Sequence, residues 1–594
     1  MQTIKERIAA LRESMARYRL AAYIVPGSDP HLGEYVPARW RCREWISGFT
    51  GSAGTVVVTA SKAGLWTDSR YFLQAGEQLQ GTGVDLYKLM IPGTPSIADF
   101  LLAELPEGAV VGLDGQTFSA AEARRLRAAL ERKRLALDTS RDLIGEVWEG
   151  RPPMPEDPVF EMPVEVAGRS VSDKLAEINN RLHREGADGL ILTALDEVAW
   201  TFNIRGTDVA YSPVALAYAF ISEKESVLFI HPGKMPAEIG ARLKKEGVIL
   251  ADYGKIREYL SKLPASYTVH LDPAQTNTAL FEALPASCKI IEGITPANHL
   301  KSIKNPTEIQ GFRCALLKDG LALTKFYFWL EKQLEAGRTV TELDASAKLS
   351  ALRAEQPGCL MDSFECISAY GAHGAIVHYA PTKETDVPLR PGNLFLMDSG
   401  AQFTDGTTDI TRTIALGEPS EAMKKDFTRA LKGTIDLAKC KFPAGLRGCL
   451  IDAFARKPLW DAGIQYLHGT SHGIGHCLNV HEGPQSIRME ENPVALRPGM
   501  IMSDEPGIYR TGQYGIRIEN MLLVVEDSET EFGKFLSFET LTLCYIDTRL
   551  VVPSMLSVRE RAWLNKYQQN VYEKLSPLLG KEEADWLRNK TREI

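Results

Sequence analysis

Leu394-Phe-Leu-Met-Asp398-Ser-Gly400-Ala-Gln-Phe-Thr-Asp405-Gly406-Thr-Thr-Asp409-Ile-Thr-Arg-Thr-Ile-Ala415 decides how the second half of this chain folds. Apolar and β-branched residues flank Asp405-Gly406, a dipeptide that favours a tight hairpin turn. The pattern predicts an antiparallel strand pair with Asp398 and Asp409 on neighbouring strands, near enough to share an ion. Carboxylates buried in an apolar hairpin are costly alone and call for cations.

A second hairpin repeats the arrangement. Met500-Ile-Met-Ser-Asp-Glu505-Pro-Gly507 leads through Gly512 to Ile516-Arg517-Ile518-Glu519-Asn-Met-Leu-Leu-Val-Val525. Glu505 and Glu519 lie about symmetrically around Gly512, so the ladder is expected to set them face to face. Between the hairpins runs His468-Gly-Thr-Ser-His472-Gly-Ile-Gly-His476-Cys-Leu-Asn-Val-His481. Its glycines let backbone approach an ion, and its histidines are candidate ligands or proton carriers. Four carboxylates and one neutral imidazole carry about four negative charges, which two divalent cations balance. Oxygen donors with a single nitrogen suit manganese or another hard-to-borderline metal better than a thiolate site does.

Competing motifs fail on their own terms. Gly469-Thr-Ser471-His-Gly473 has the shape of a serine-hydrolase elbow, yet no acid followed by a histidine comes after Ser471. His468 and His472 are spaced as in a zincin helix, but no glutamate follows His468. Gly48-Phe-Thr-Gly51-Ser-Ala-Gly54 lacks the Lys-Ser/Thr ending of a phosphate loop and reads as a turn into the strand Thr55-Val-Val-Val-Thr59. Cys477 reads as a small buried apolar residue rather than a nucleophile.

A chain of 594 residues is too long for one core and fits roughly two to four domains. The formal charge of −8 is spread without a basic run, which argues against nucleic acid or an anionic membrane as partner. Nine cysteines stand singly, without a Cys-x-x-Cys pair, as suits a reducing compartment. The first residues read as an amphipathic helix rather than a signal peptide, and no apolar run is long enough to span a bilayer. The expectation is a soluble, cytoplasmic protein.

In chain order, a helix over Ile4 to Arg19 and the strand Ala21–Val25 open a first α/β unit. The proline-rich Gly150-Arg-Pro-Pro-Met-Pro155-Glu-Asp-Pro158 closes it. A helix over Ser172 to Arg184, the strand Asp188–Leu192 and the runs Ala215–Ile221 and Ser226–Ile230 repeat the same order, which suggests an internal duplication. Asn305-Pro306-Thr-Glu308 starts a helix with cap, first-turn proline and acid in place. Helices are expected over Ile309 to Ala336 and Thr341 to Glu355. Ser557 to Thr591 reads as a helical tail whose apolar residues Trp563, Leu564, Tyr567, Val571, Tyr572 and Leu575 recur at helical spacing.

Met397 to Arg412, His468 to His472, Asp504 to Gly507 and Gly515 to Asn520 together resemble the pita-bread metallopeptidases, in particular the long, three-domain, cytosolic form of aminopeptidase P. The resemblance runs from Ala22 to the C-terminal helices. It implies an α/β (α+β) chain: two related creatinase-type domains with mixed sheets (1–150 and 151–300), a pita-bread catalytic domain (301–540) and a C-terminal extension (541–594) with a part in dimerisation. It implies two divalent ions, manganese first with cobalt or zinc as alternatives, held by Asp398, Asp409, His472, Glu505 and Glu519. Asp409 and Glu519 would bridge both ions, and Glu505 would serve as general base on a bridging water. His378 and His481 match substrate-side catalytic histidines, His468 the histidine at the pocket mouth, and Tyr509 and Arg517 groups around the carboxylates. Arg70 matches a substrate-binding arginine of the first domain. The implied activity is removal of an N-terminal residue from short peptides with proline second, by a homodimer. Within the superfamily prolidase cuts only dipeptides with a generally shorter chain, and methionine aminopeptidase leaves the front half unexplained. Relatives that serve as binding proteins have lost the ligands present here.

Overall fold

The computed structural model describes residues 2–594. Contacts divide the chain into two compact units. One ends at Ala297, apart from the excursion Pro163–Gly168, and the other comprises that excursion and Asn298–Ile594.

The front unit holds two six-stranded sheets of the same topology. In the first, Ala22–Pro26 lies antiparallel to Thr55–Thr59, which pairs antiparallel with Ala63–Thr67, which runs parallel to Asp85–Lys88. On its other side Ala22–Pro26 runs parallel to Val110–Leu113, and that strand parallel to Ala136–Asp138. In the second, Gly189–Leu192 occupies the place of Ala22–Pro26. Ala217–Ile221, Ser226–Ile230 and Val248–Ala251 follow on one side, and Thr268–Leu271 and Lys289–Glu292 on the other, with matching directions. This strand-for-strand correspondence supports the expected duplication. The inner strands read as continuous apolar runs because helices cover both faces, so neither face needs polar residues. The first helix spans Ile4–Arg17, held by a Thr3–Glu6 capping box. It stops short of the expected Arg19, because Arg19 takes a left-handed φ of 56° that no helix continues through.

The second unit opens with the 30-residue helix Pro306–Glu335, where Asn305 and Glu308 form the capping box its sequence predicts. A three-stranded sheet joins Ile367–Tyr370, Asn393–Ser399 and Ile410–Leu416. A six-stranded sheet contains Ser471–Gly473, Glu482–Ile487, Ile501–Asp504 and Asn520–Thr530. The three-stranded sheet shares one large core with the surrounding helices, and Ile501, Met521 and Leu523 of the six-stranded sheet pack in a second cluster against Phe312 and Leu316 of the long helix. The tail is helical as expected and consists of two helices, Val558–Leu575 and Lys581–Lys590. Pro577 lies in the break and cannot continue the hydrogen-bond ladder. Leu564, Tyr567, Val571 and Leu575 are buried in the core of their own chain.

Lys301 and Lys304 both pair with Glu482, and all three side chains are at most 1% exposed. Charges taken this far out of water are held only by each other. Glu482→Ala leaves two ammonium groups buried and is expected to cost about 3–5 kcal/mol, read as the loss in unfolding free energy in a denaturant titration.

Candidate metal centre

Asn393–Ser399 and Ile410–Leu416 pair antiparallel, with Asp398 opposite Thr411. Asp409 stands directly before the second of these strands, so the two aspartates lie side by side as expected. The turn itself is shifted by one residue: Phe403 pairs with Gly406, which leaves Thr404-Asp405 at the tip. Gly406 is set by packing instead, since a Cβ there would lie 3.1–3.3 Å from Ala315 and Phe312 of the long helix. Between the aspartates the chain changes sheets at Gly400, where a Cβ would sit 1.9 Å from the Thr408 carbonyl oxygen.

The second hairpin is interrupted where its glutamates fall. Asp504 pairs with Asn520, and Gly507 with Arg517. Glu505 and Glu519 occupy the gap between the two ladders. Their amides turn to other strands: Glu505 N–H donates to Thr470 O at 3.0 Å, and Glu519 N–H to Thr411 O at 3.1 Å. Each glutamate is thereby stitched beside another candidate ligand, Glu505 near His472 and Glu519 near Asp409.

The side chains converge. Ligand atoms of Asp409, His472 and Glu519 lie within 4.8 Å of one another. His472 Nε2 is 3.4 Å from Asp409 and 3.5 Å from Glu505. His472 Nδ1 lies 2.9 Å from the Gly473 carbonyl oxygen, which can only accept, so Nδ1 carries the proton and the Nε2 lone pair faces the acids. Asp398 accepts from Arg517 Nη2 at 2.5 Å through Oδ2, while its buried Oδ1 has no hydrogen-bond partner.

Burial raises the pKa of Asp398, though Arg517 opposes it. Burial, eased by His472 and aggravated by Asp409, pushes Glu505 up to about 7. Glu519 is driven well above the carboxylate range by burial and by Asp409, Asp398 and Glu505. A cluster of acids that resists ionising together, with an imidazole lone pair and an orphaned carboxylate oxygen aimed among them, fits divalent cations.

Tyr509, Arg517 and His468 form a polar rim beside Asp398. The Tyr509 hydroxyl oxygen accepts from Arg517 Nη1 at 2.8 Å and lies 2.8 Å from His468 Nε2, which links His468 to Asp398 through Arg517. His481 packs edge-on to His472, with ring centroids 4.5 Å apart. His378 lies half-buried in the irregular segment after the short helical turn Gly371–Ala375. In the front unit Arg70 makes a two-pronged ion pair with Asp68, both bonds 2.8 Å.

Sequence reading missed three supports. Arg412 is fully enclosed and donates to the Thr411, Glu519, Cys544 and Tyr545 carbonyls and to Tyr567 of the tail, locking the two metal hairpins together. Thr411 donates to Glu519 at 2.7 Å. Gly515 meets the histidine segment backbone to backbone, and a Cβ on it would lie 1.6 Å from the Gly374 oxygen. No spacing in the chain signals these, because all but one of the partners, the neighbouring Thr411 carbonyl, are remote in sequence. Gly515→Ala is expected to displace that segment and to cut activity by at least about tenfold with intact metal content, checked by steady-state kinetics and metal analysis.

Models of the creatinase/prolidase N-terminal domain match residues 7–144 and 150–308. Metallopeptidase family M24 matches residues 310–526, and the C-terminal region of peptidase M24 matches 534–594. Aminopeptidase P2 of Arabidopsis thaliana is 39% identical over all of this chain and 89% of its own length. A probable Xaa-Pro aminopeptidase P of Coprinopsis cinerea is 39% identical, covering 99% of this chain and 98% of the relative. The crystal structure of X-prolyl aminopeptidase from Caenorhabditis elegans, described as a cytosolic enzyme with a di-nuclear active site, superposes with a TM-score of 0.96 at 34% identity, over the whole of both chains.

Proposed function

Because the chain belongs to metallopeptidase family M24, in its aminopeptidase P branch, we propose that it releases the N-terminal residue from short peptides whose second residue is proline. The observation that carries this reading is the convergence of Asp409, Glu519 and the unprotonated Nε2 of His472 beside Asp398 and Glu505. Two divalent ions, which we take to be manganese with cobalt or zinc as substitutes, would be held by these five residues; they lower the pKa of a water and polarise the scissile carbonyl.

The chain's own groups do the rest. Glu505 takes a proton from the attacking water and delivers it to the departing prolyl nitrogen. That nitrogen belongs to a tertiary amide without an N–H, so the site cannot hold it through a hydrogen bond that it donates. Arg517 keeps Asp398 ionised and oriented. His481, braced against His472, faces the scissile region and supports the developing oxyanion, and His378 contacts the substrate from its own segment. His468 and Tyr509 close the polar wall at the pocket mouth. Arg70 is proposed as a clamp on the peptide, which requires it to exchange its Asp68 partner for substrate.

We further propose a division into domains over 1–150, 151–300 and 301–540 with an extension over 541–594, a homodimeric assembly and a cytoplasmic location. Among the described residues no helix is long and apolar enough to cross a membrane, and all nine cysteines are free.

The deciding experiment is product analysis after manganese loading. The proposed enzyme cuts Xaa-Pro-Xaa tripeptides such as Arg-Pro-Pro and frees the first residue. Cleavage of Xaa-Pro dipeptides alone would mean a prolidase, and a metal-loaded chain that leaves every prolyl peptide uncut would mean a binding protein.

A further inference from the structure

Glu342 is a carboxylate that neither the metal set nor the polar rim uses. It is the first residue of the helix Glu342–Ala354, and its side chain is completely buried. Its acid stands at the positive end of the helix, where negative charge is favoured. Its carboxylate bonds Tyr370, His373 and Tyr379, all in the chain around His378. Oε1 accepts from the Tyr370 amide at 2.7 Å and lies 2.9 Å from His373 Nδ1. Oε2 accepts from the Tyr379 hydroxyl at 2.8 Å. The rings of His373 and Tyr379 stack at 4.3 Å over the same carboxylate.

These contacts bracket His378. Tyr370 ends the strand Ile367–Tyr370, in which Ile367 pairs with the metal candidate Asp398. Beyond Tyr370 the chain leaves the sheet, makes one short helical turn and continues without regular structure through His378. No ladder fixes the segment: Gly515 packs against its backbone at Gly374 on one side, and side chains hold the rest. One buried carboxylate grips it at its start, its middle and next to the histidine. Tyr379 also bonds Thr385 at 3.0 Å, which closes the far side of the segment.

We propose that Glu342 is a positioning residue for His378. It holds residues 370–379 in the one arrangement that presents the histidine to substrate, and it acts without touching substrate itself. This inference rests on the reading of His378 as a substrate-side residue.

The test compares Glu342→Gln, His378→Ala and the double variant in the metal-loaded full-length chain. Glutamine keeps the shape but replaces one acceptor oxygen with an amide NH2, which cannot accept from the Tyr370 amide or the Tyr379 hydroxyl. Glu342→Gln is expected to lower kcat/KM on an Xaa-Pro-Xaa peptide by at least about tenfold, with metal content unchanged. The double variant is expected to be no worse than His378→Ala, because both changes remove the same interaction. Additive losses, or a Glu342→Gln enzyme equal to the parent, would overturn the proposal. Should that variant fold poorly, Tyr379→Phe removes one grip and is expected to reproduce part of the loss. Amide hydrogen exchange gives a readout independent of turnover: amides of residues 371–379 should exchange faster in Glu342→Gln while those of Asn393–Ser399 do not change. Normal exchange there refutes the anchor. An uncut peptide with the parent chain refutes the aminopeptidase reading instead.

Discussion

Glu505→Gln is expected to lower kcat/KM on an Xaa-Pro-Xaa tripeptide by roughly a thousandfold or more. The size follows from a double loss. The amide neither takes up a proton from water nor passes one to the prolyl nitrogen, and one donor atom of the site exchanges charge for a neutral group. His472→Ala is expected to match it by a different route, since Nε2 is the single nitrogen among the converging donors. The two are separated by metal analysis: His472→Ala should lose bound metal, and Glu505→Gln should keep more of it than activity suggests. Retention of more than about a tenth of parental kcat/KM by Glu505→Gln would remove it from the proton-transfer role.

Stripping the metal should make stability fall as pH rises, the reverse of ordinary acid denaturation. Glu505 is raised from the usual carboxylate range to about 7, Asp398 is raised, and Glu519 is raised further. In the metal-free chain the folded state therefore binds protons that the unfolded state has already released. A group with a raised acid pKa stabilises the fold below its unfolded value and loses that contribution as pH climbs through its folded value. The window runs upward from the ordinary glutamate pKa through about 7 for Glu505, and higher for Glu519. Thermal melts of chelated protein at mildly acidic and mildly alkaline pH should show the lower Tm on the alkaline side. Saturating manganese should raise both and remove most of the difference, because cations replace the protons. A chelated protein whose Tm is flat or rises with pH would mean that these acids are not crowded together in solution.

The acids and the histidine were legible because each sits in a local pattern with a physical meaning. Asp398 and Asp409 flank a turn in an apolar run, and Glu505 and Glu519 flank Gly512, whose φ of 74° makes it the tip of its hairpin. Some local patterns misled. Asp405-Gly406 has the composition of a turn, but the approach of the helix Pro306–Glu335 fixes Gly406 in a strand. The tail carried a helical stripe that reads as core packing, and the structure buries it in the core of its own chain, with Tyr567 reaching Arg412 at 2.6 Å.

What the sequence determined by itself is everything that depends on neighbours a few residues apart. That covers the capped helices, the two hairpins, the repeated order of the front half and the identity of the five candidate ligands. Tertiary structure alone decided that Arg517 holds Asp398, that Arg412 ties both hairpins to the tail, that two lysines enclose Glu482, and that Glu342 grips the segment bearing His378. The reason is one of range. Backbone propensity and periodicity act within a turn or a strand pair, whereas a buried charge finds its partner only after the chain has closed around it, and no spacing along the chain records which partner that will be.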